Sequence, residues 1–479
     1  MGESVRSLER LREKRQRIHF VGIGGIGMSG IAEVLLTLGY SVSGSDLKLT
    51  PLTDRLASLG ASLHAGHLPE HVHGTPLVVT SSAIRPDNPE VVEARRLGLQ
   101  VIPRAEMLAE LMKLKESIAV AGAHGKTTVS SMVAVLLASA GLDPTAVIGG
   151  RLDAFGSNAR LGKGRWMVVE ADESDGSFLH LEPTLAVITN LDREHLDHYR
   201  DMGEIEDAFL SFAGKIPAEG AVILCADDER LRRVAGRLKP LSRRIISYGF
   251  REDATVRAVK LELKGEGSTF DVLMEEGMRG PLSLRVPGRH NVLNSLAAVA
   301  VGLELRIPFD KIRRGLEAFT GVDRRLQITG VFDGVTLVDD YCHHPSEIRA
   351  TIEAVLLRNP RRLWAVFEPH RYTRTAQLMD EFSRAFKGCA RVDVLDIYPA
   401  SETPLPGVNA ERLVEQMRSN GAGSVTYAPE SAELIDRIVR EAQPGDLIVT
   451  MGAGSISKIA SQLVKAFEFA HSAEKVSRQ

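Results

Sequence analysis

Gly122-Ala123-His124-Gly125-Lys126-Thr127-Thr128 has the groups needed to hold the phosphates of a nucleotide. A loop of this kind turns backbone N–H groups and a helix N-terminus toward phosphate oxygens, sends a lysine ammonium to the terminal phosphates and puts a hydroxyl on a metal ion. Gly125, Lys126 and Thr127 fit those parts. The common spacing would place a glycine five residues before Gly125, where the chain has Val120; the extra glycine stands at Gly122 instead. The flanks are in the right order. An apolar strand at residues 118–121 leads in, and an amphipathic helix is expected to follow, with Met132, Val133, Leu136 and Leu137 on its buried side.

A magnesium ligand belongs at the carboxyl end of a buried strand beside such a loop. The strand Met167-Val168-Val169-Glu170 ends in a carboxylate and is followed by Asp172, Glu173 and Asp175, which makes Glu170 the first choice. The next strand, residues 185–189, leads into Asn190-Leu191-Asp192-Arg193-Glu194-His195-Leu196-Asp197. Asn190 and Asp192 read equally well as helix N-caps with solvated charges after them. His195 stands where the sheet edge collects polar groups.

A second glycine turn, Gly22-Ile23-Gly24-Gly25-Ile26-Gly27, follows a strand at residues 18–21 and opens a helix at 28–38. The next strand ends at Asp46, about where a ribose-binding carboxylate is expected. A nicotinamide dinucleotide is one reading. Glycines at a strand–helix turn let any pyrophosphate approach backbone amides, so a nucleotide-sugar diphosphate satisfies the same geometry. The same block carries His64, His67, His71 and His73. Only Glu70 joins them, so a metal site is disfavoured against solvent-facing or ligand-bonded histidines.

Alternating strands and helices must position these groups, the pattern of parallel α/β domains. A chain of 479 residues is too long for one core. Three blocks separate, the first ending near a helix at 105–114, the second near Gly321, and the third opening with strands around Leu326 and at 334–338. Residues 256–274 alternate in part and suggest an added hairpin. With 44% hydrophobic and 25% charged residues the composition is that of a globular protein, and a net charge of -3 gives no sign of a nucleic-acid partner. Residues 6–17 are charged and lack the apolar core of a signal peptide. No apolar run approaches the length of a membrane span. Cys225, Cys342 and Cys389 have no ligand or disulfide spacing, which suits a reducing compartment, the cytoplasm.

Further motifs fall in one order with these: Gly22 through Gly30, the phosphate loop, Glu170-Ala171-Asp172-Glu173-Ser174-Asp175, Gly288-Arg289-His290-Asn291-Val292-Leu293-Asn294, Asp339-Asp340-Tyr341-Cys342-His343-His344-Pro345 and Pro369-His370-Arg371-Tyr372-Thr373-Arg374-Thr375. Over essentially the whole chain they resemble the Mur ligases, ATP-dependent amide-bond-forming enzymes of peptidoglycan precursor synthesis. Within that family the resemblance is to the members that join L-alanine to the carboxylate of UDP-N-acetylmuramate through an acyl phosphate. It implies an α/β fold of three domains: a Rossmann-like UDP-sugar-binding domain at 1–113, a central P-loop ATPase-type domain with a mainly parallel sheet at 114–321, and a Rossmann-like amino-acid-binding domain at 322–479.

Residue by residue, the resemblance implies UDP-sugar contacts from Gly22, Gly24, Gly25, Gly27, Met28, Ser29, Asp46, Ser81, Ser82 and Arg104, with Asn158 and Arg160 from a muramoyl-substrate loop. ATP would lie on Gly122, His124, Gly125, Lys126, Thr127 and Thr128, with His290, Asn291 and Asn294 near the base and Arg325 and Asp340 reaching in from the third domain. Magnesium would be held by Thr127, Glu170 and His195. Tyr341, His343, His370, Arg371 and Arg374 would surround the amino acid. Lys126, Glu170, His195, His343, His370 and Arg371 would carry catalysis, His343 and His370 as base or as orienting groups. Cys342 departs from the family, which usually has glycine there. It is expected to crowd the amino-acid pocket, to be strained if its φ is positive, and to be alkylated faster than Cys225 or Cys389.

The implied state is a monomer or weak homodimer with no nucleic-acid or membrane partner. Three other readings stay open. One is the related ligase that attaches a recycled tripeptide to the same UDP-muramate. Another is a nicotinamide-dependent dehydrogenase, for which no catalytic acid–base pair is found near the first turn. The third is a nucleotide-sensing module.

Overall fold

Three sheets carry the fold in the computed structural model, which describes residues 8, 11, 15–81, 83–152, 157–196, 198–241, 243–421, 423–429 and 431–477. The first has five parallel strands in the order Ser62–Ala65, Ser41–Asp46, Arg17–Val21, Leu77–Thr80, Gln100–Pro103. The chain first builds outward from Arg17–Val21 on one side and then crosses to the other. That reversal lies at the carboxyl end of Arg17–Val21, where open α/β sheets bind ligands, and the glycine turn begins there. The helix expected at 28–38 is Ile26–Thr37, and the one at 105–114 is Arg104–Met112.

Seven strands of the second sheet run Ile245–Gly249, Ala221–Cys225, Leu185–Ile188, Glu116–Ala121, Trp166–Glu170, Thr145–Leu152, Ser157–Arg160, parallel except for the last, and Val256–Lys264 continues the sheet parallel to Ile245–Gly249. Glu116–Ala121 is central, so its apolar run is buried on both faces. The helix after it, Lys126–Ser139, is not amphipathic as expected: every residue from Thr127 to Leu137 is buried. The reason is a second helix, Phe309–Glu317, packed against it. Gly315 brings their backbones close, since a Cβ there would lie 2.8 Å from Leu136 Cα. The hairpin expected at 256–274 is the start of a three-strand meander, Val256–Lys264, Gly267–Met274 and Gly277–Leu284, with two-residue connections.

In the third sheet the order is Gln327–Phe332, Val335–Asp340, Asp446–Met451, Arg362–Phe367, Arg391–Val394, Ser424–Tyr427, with an antiparallel hairpin at the start and parallel pairing thereafter. Strand period explains its double core. Leu363, Ala365 and Phe367 enter one buried cluster and Trp364 and Val366 the other. By contacts the chain divides into two compact units, Met1–Val259 with Val272–Gly280 and Leu293–Phe319, and Lys260–Asp271 with Pro281–Val292 and Thr320–Gln479.

Candidate functional site

In the first unit the phosphate loop is shaped by the polar residues after strand Leu185–Ile188. Gly122 has φ +122, and a Cβ there would lie 2.2 Å from Thr189 Oγ1, so only glycine fits. Thr189 Oγ1 donates to His124 O (2.6 Å), Asn190 Oδ1 accepts from His124 N (2.8 Å), and the His124 ring meets Asp192 Oδ2 at 2.9 Å. Asn190 and Asp192 therefore brace the loop and are not caps; the next helix starts at Met202 and is capped by Asp201. Gly125 takes φ +82 before the helix, and a Cβ there would meet Asn294 Oδ1 at 2.7 Å. Thr128 is buried in the first turn.

Lys126 Nζ donates to Gly122 O (2.7 Å), Ala123 O (3.2 Å) and Glu173 Oε1 (2.8 Å). Burial alone would lower its pKa, but Glu173, Asp172 and Glu170 more than offset it and keep the ammonium charged. Thr127 Oγ1 donates to Glu170 (3.0 and 3.2 Å), whose Oε2 also takes the Gly149 N–H at 2.8 Å. His195, at φ +57, holds its Nε2 3.6 Å from Glu173 Oε1 and 3.8 Å from Glu194 Oε2. Burial would raise the Asp172 carboxyl, yet Arg104 and Lys126 bring it down to about 2. Glu173 Oε2 is buried with no hydrogen-bond partner. Glu170 with the Thr127 hydroxyl on it, and Glu173 with His195 beside it and one oxygen unpartnered, supply the oxygen ligands that a magnesium ion favours. Glu173 was passed over in the sequence. Its signal was its place three residues after Glu170 in the same acidic run.

The first glycine turn is built differently. Gly22 N and Ile23 N donate to Ser45 O (2.8 and 2.9 Å), and Gly24 N donates to Asp46 Oδ2 (2.9 Å). A Cβ on Gly27 would lie 2.6 Å from Arg104 Nη1, and Arg104 Nη2 reaches Asp172 Oδ2 at 3.0 Å. Gly25 N-caps the helix in which Met28 and Ser29 are buried. Asn158 Nδ2 bonds Ile26 O at 2.6 Å, which joins the substrate-loop candidate to this turn. Arg160 pairs with Asp143. Ser81 O accepts from Ile84 N at 3.0 Å, and Ser82 lies outside the described residues.

Two of the loop histidines, His67 and His71, meet a buried carboxylate instead of facing solvent, whereas His73 stays exposed as expected. Glu90, from helix Pro89–Arg96, has His71 Nδ1 at 2.6 Å, His67 Nδ1 at 3.1 Å and His19 Nε2 at 3.7 Å, and also accepts from Ser45 Oγ. His64 stacks on His71 at 4.1 Å, and His73 meets Glu93 at 3.0 Å. Burial would raise the Glu90 carboxyl, but His19, Ser45 and His71 hold it at about 2.

In the second unit two loops at strand carboxyl ends face each other. Tyr341 and His343 follow Val335–Asp340; His370, Arg371 and Arg374 follow Arg362–Phe367. Ring centroids lie 5.5 Å apart for Tyr341–His343 and 5.7 Å for His343–His370. Arg374 Nη1 lies 3.2 Å from His370 Nδ1, and His343 Nδ1 lies 3.0 Å from Tyr341 O. Asp340 accepts from Cys342 N and Leu326 N (2.8 Å each), with burial raising its pKa. Arg325 stands 3.7 Å from Glu347 and, with Arg324, about 5 Å from the Tyr341 ring (5.1 and 5.0 Å). Burial lowers His290 to about 4, so it is neutral, and Asn291 Nδ2 bonds Pro287 O at 2.7 Å. Arg324 and Glu347 were not singled out in the sequence.

The expectation for Cys342 is overturned. It is 1% exposed, packs in the core with Ile348 and Leu378, and does not have positive φ. Burial pushes its thiol well up and those of Cys225 and Cys389 to about 12, so none is a ready nucleophile.

Residues 17–116 match the model described as Mur ligase family, catalytic domain, 120–302 the Mur ligase middle domain, and 324–454 the Mur ligase glutamate ligase domain. The chain is similar to the UDP-N-acetylmuramate–L-alanine ligases of Syntrophus aciditrophicus (51% identical, 95% of this chain and 94% of that one) and Geobacter sulfurreducens (51%, 96% and 99%). Among solved structures it resembles the UDP-N-acetylmuramate–alanine ligase of Thermotoga maritima (TM-score 0.81, 28% identical, 95% and 99% covered). It also resembles a murein peptide ligase of Psychrobacter arcticus (0.71, 26%, 94% and 98%). Three domain models in sequence order, relatives half identical over nearly the full length, and an α/β fold with a lysine-bearing phosphate loop agree: the chain belongs to the Mur ligase family.

Proposed function

We propose that this chain uses ATP to join L-alanine to the carboxylate of UDP-N-acetylmuramate in peptidoglycan precursor synthesis. The observation that carries the reading is Lys126 on a glycine loop, paired to the buried Glu173 with Asp172 and Glu170 nearby, in a chain half identical to ligases of that name. A carboxylate and an amine do not condense in neutral water, so the carboxylate is first phosphorylated by ATP. Both reactants are anionic, and Lys126 supplies positive charge between them. Magnesium, held by Thr127, Glu170 and His195 with Glu173 beside them, adds charge neutralisation when bound.

The turn from Gly22 to Ser29, with Asp46, Ser81, Ser82, Arg104, Asn158 and Arg160, binds the UDP-sugar. His290, Asn291, Asn294, Arg325 and Asp340 serve ATP. The alanine amine attacks the acyl carbon, and loss of phosphate leaves the amide. Arg371 or Arg374 pairs with the alanine carboxylate. The two histidines divide the remaining work. A guanidinium only donates, so His370 Nδ1 accepts from Arg374 and its ring orients; a carbonyl only accepts, so His343 carries its proton on Nδ1 and keeps Nε2 for the amine proton.

In this reading residues 1–113, 114–321 and 322–479 are the UDP-sugar, ATP and amino-acid domains of a cytoplasmic monomer or weak homodimer. No helix among the described residues is long and apolar enough to cross a membrane. The test is phosphate release from Mg-ATP with UDP-N-acetylmuramate and, in turn, L-alanine, glycine, L-serine and the L-Ala-γ-D-Glu-diamino-acid tripeptide. Release that needs both sugar nucleotide and L-alanine is expected. Release with the tripeptide alone would move the assignment to a recycling ligase, and none with any acceptor would overturn the reading.

A further inference from the structure

Residues 398–402 grip the loop at 369–375 from outside it. Tyr398 N–H donates to Pro369 O and Arg371 N–H to Tyr398 O, both at 2.8 Å, so the two backbones straddle His370. The Tyr398 ring lies against the His370 ring, with centroids 5.4 Å apart and planes 13° from parallel. Gly454 also packs close on this ring, since a Cβ there would sit 2.4 Å from Tyr398 Cγ. That glycine is fixed in turn by Glu368, which accepts from Ser455 Oγ and, at 3.1 Å, from Ile456 N–H. Farther along, Glu402 accepts from Thr373 N–H (3.0 Å) and Oγ1 (2.6 Å). Between these grips Arg371 keeps φ +71 and ψ 136, a conformation that persists in a non-glycine residue only where its surroundings over-determine it.

We propose that Tyr398 is a positioning residue for the amino-acid pocket, a wedge packed on both Gly454 and His370 that sets the imidazole plane, with Glu402 holding the Arg371–Arg374 turn beside it. The inference rests on the ligase reading above. The Arg374 bond holds one edge of the His370 ring, and the stacked Tyr398 ring opposes its tilting, as a pre-organised pocket requires. The phenol hydroxyl has no part in this, so the ring alone should suffice.

Steady-state kinetics with ATP, UDP-N-acetylmuramate and L-alanine on the full chain tests it. Tyr398→Ala should raise KM for L-alanine by about tenfold or more, with KM for ATP and the sugar nucleotide changed by less than about twofold, because a displacement of about 1 Å at an orienting group has effects of this size. Tyr398→Phe should restore wild-type values. Gly454→Ala, which displaces the ring without removing it, should reproduce the alanine-specific loss even if Tyr398→Ala folds poorly. An equal rise in all three KM values, or a Phe variant as impaired as the Ala variant, would overturn the wedge while leaving the ligase reading intact. Absence of alanine-dependent turnover in the unmodified chain would overturn both.

Discussion

The two glycine-rich turns of the first unit begin alike, each a buried parallel strand running into a helix, and end in opposite chemistry. At residues 22–27 the turn amides are given to neighbours, Gly22 and Ile23 to Ser45 O and Gly24 to the Asp46 carboxylate. At 122–128 the turn closes on Lys126, which faces Glu173. A carboxylate seated on a turn amide repels a phosphate at that amide and accepts from a sugar hydroxyl; a buried ammonium does the reverse. Glycine spacing thus fixes how closely a ligand approaches the backbone. The side chains sent in by the adjoining strand ends decide which ligand it is.

The largest effect should follow from Lys126→Met. Turnover is expected to fall by about 10³-fold or more, since a positioned cation on a transferring phosphoryl group is worth that much. Stability should fall as well, by about 3 kcal/mol, because Glu173 is left as a buried charge without its partner. Lys126→Met with Glu173→Gln should recover most of that stability in a denaturant titration and none of the activity. If the double variant is as unstable as the single one, the ion pair is not what the loop leans on.

Glycines at the two turns should differ in kind. Gly122 has φ +122 and no room for a Cβ, so Gly122→Ala is expected to destabilise by about 2–4 kcal/mol. Gly25 has φ -64, and a Cβ there would meet ordinary contacts at 3.5 Å or more. Gly25→Ala should therefore leave the melting temperature within a few degrees of wild type, a change of about 0.5 kcal/mol or less, while raising KM for the sugar nucleotide. Equal destabilisation by both would erase the distinction between a glycine needed for folding and one needed for approach.

Much of this was legible in the chain and some was not, for physical reasons. The central strand Glu116–Ala121, the lysine and threonine after it, and Glu170 at a strand end depend on local sequence, and the structure forms each where expected. The face of helix Lys126–Ser139 was misread because burial on its far side comes from Phe309–Glu317, whose distance along the chain no local period reports. His67 and His71 were misread for the same reason, since Glu90 arrives from a later helix, while His73 does face solvent. Cys342 was judged by the glycine the family usually has in its place, whereas the strand and helix around it carry it into the core. Tyr398 and Glu402 act on a loop some thirty residues earlier, and nothing in their own surroundings in sequence marks them.

Asp46→Ala should break one arm of the comparison alone. KM for the sugar nucleotide is expected to rise about tenfold, the loss of one good hydrogen bond to a bound hydroxyl together with the orphaned Gly24 amide, and KM for ATP should not move. An equal rise for ATP would mean that the turn is acting through global stability.

A pH-dependent effect is expected from what stands behind the first turn. Ser45, whose carbonyl receives Gly22 and Ile23, donates its hydroxyl to Glu90, so this carboxylate supports the turn from beneath. Glu90 is held at about 2 in the fold against an ordinary 4.5. A depressed carboxyl contributes stability above its unfolded value and loses it as pH falls through its folded value, so the contribution is complete above about pH 5 and fades between about pH 4.5 and 2. Glu90→Gln should lower stability at neutral pH by about 2 kcal/mol and flatten its decline across that acid window, as read by thermal melts from pH 7 to 3. A decline as steep in the variant as in the wild type would mean that the acid sensitivity lies elsewhere, with Asp172 beside the phosphate loop, itself held at about 2, as the first alternative.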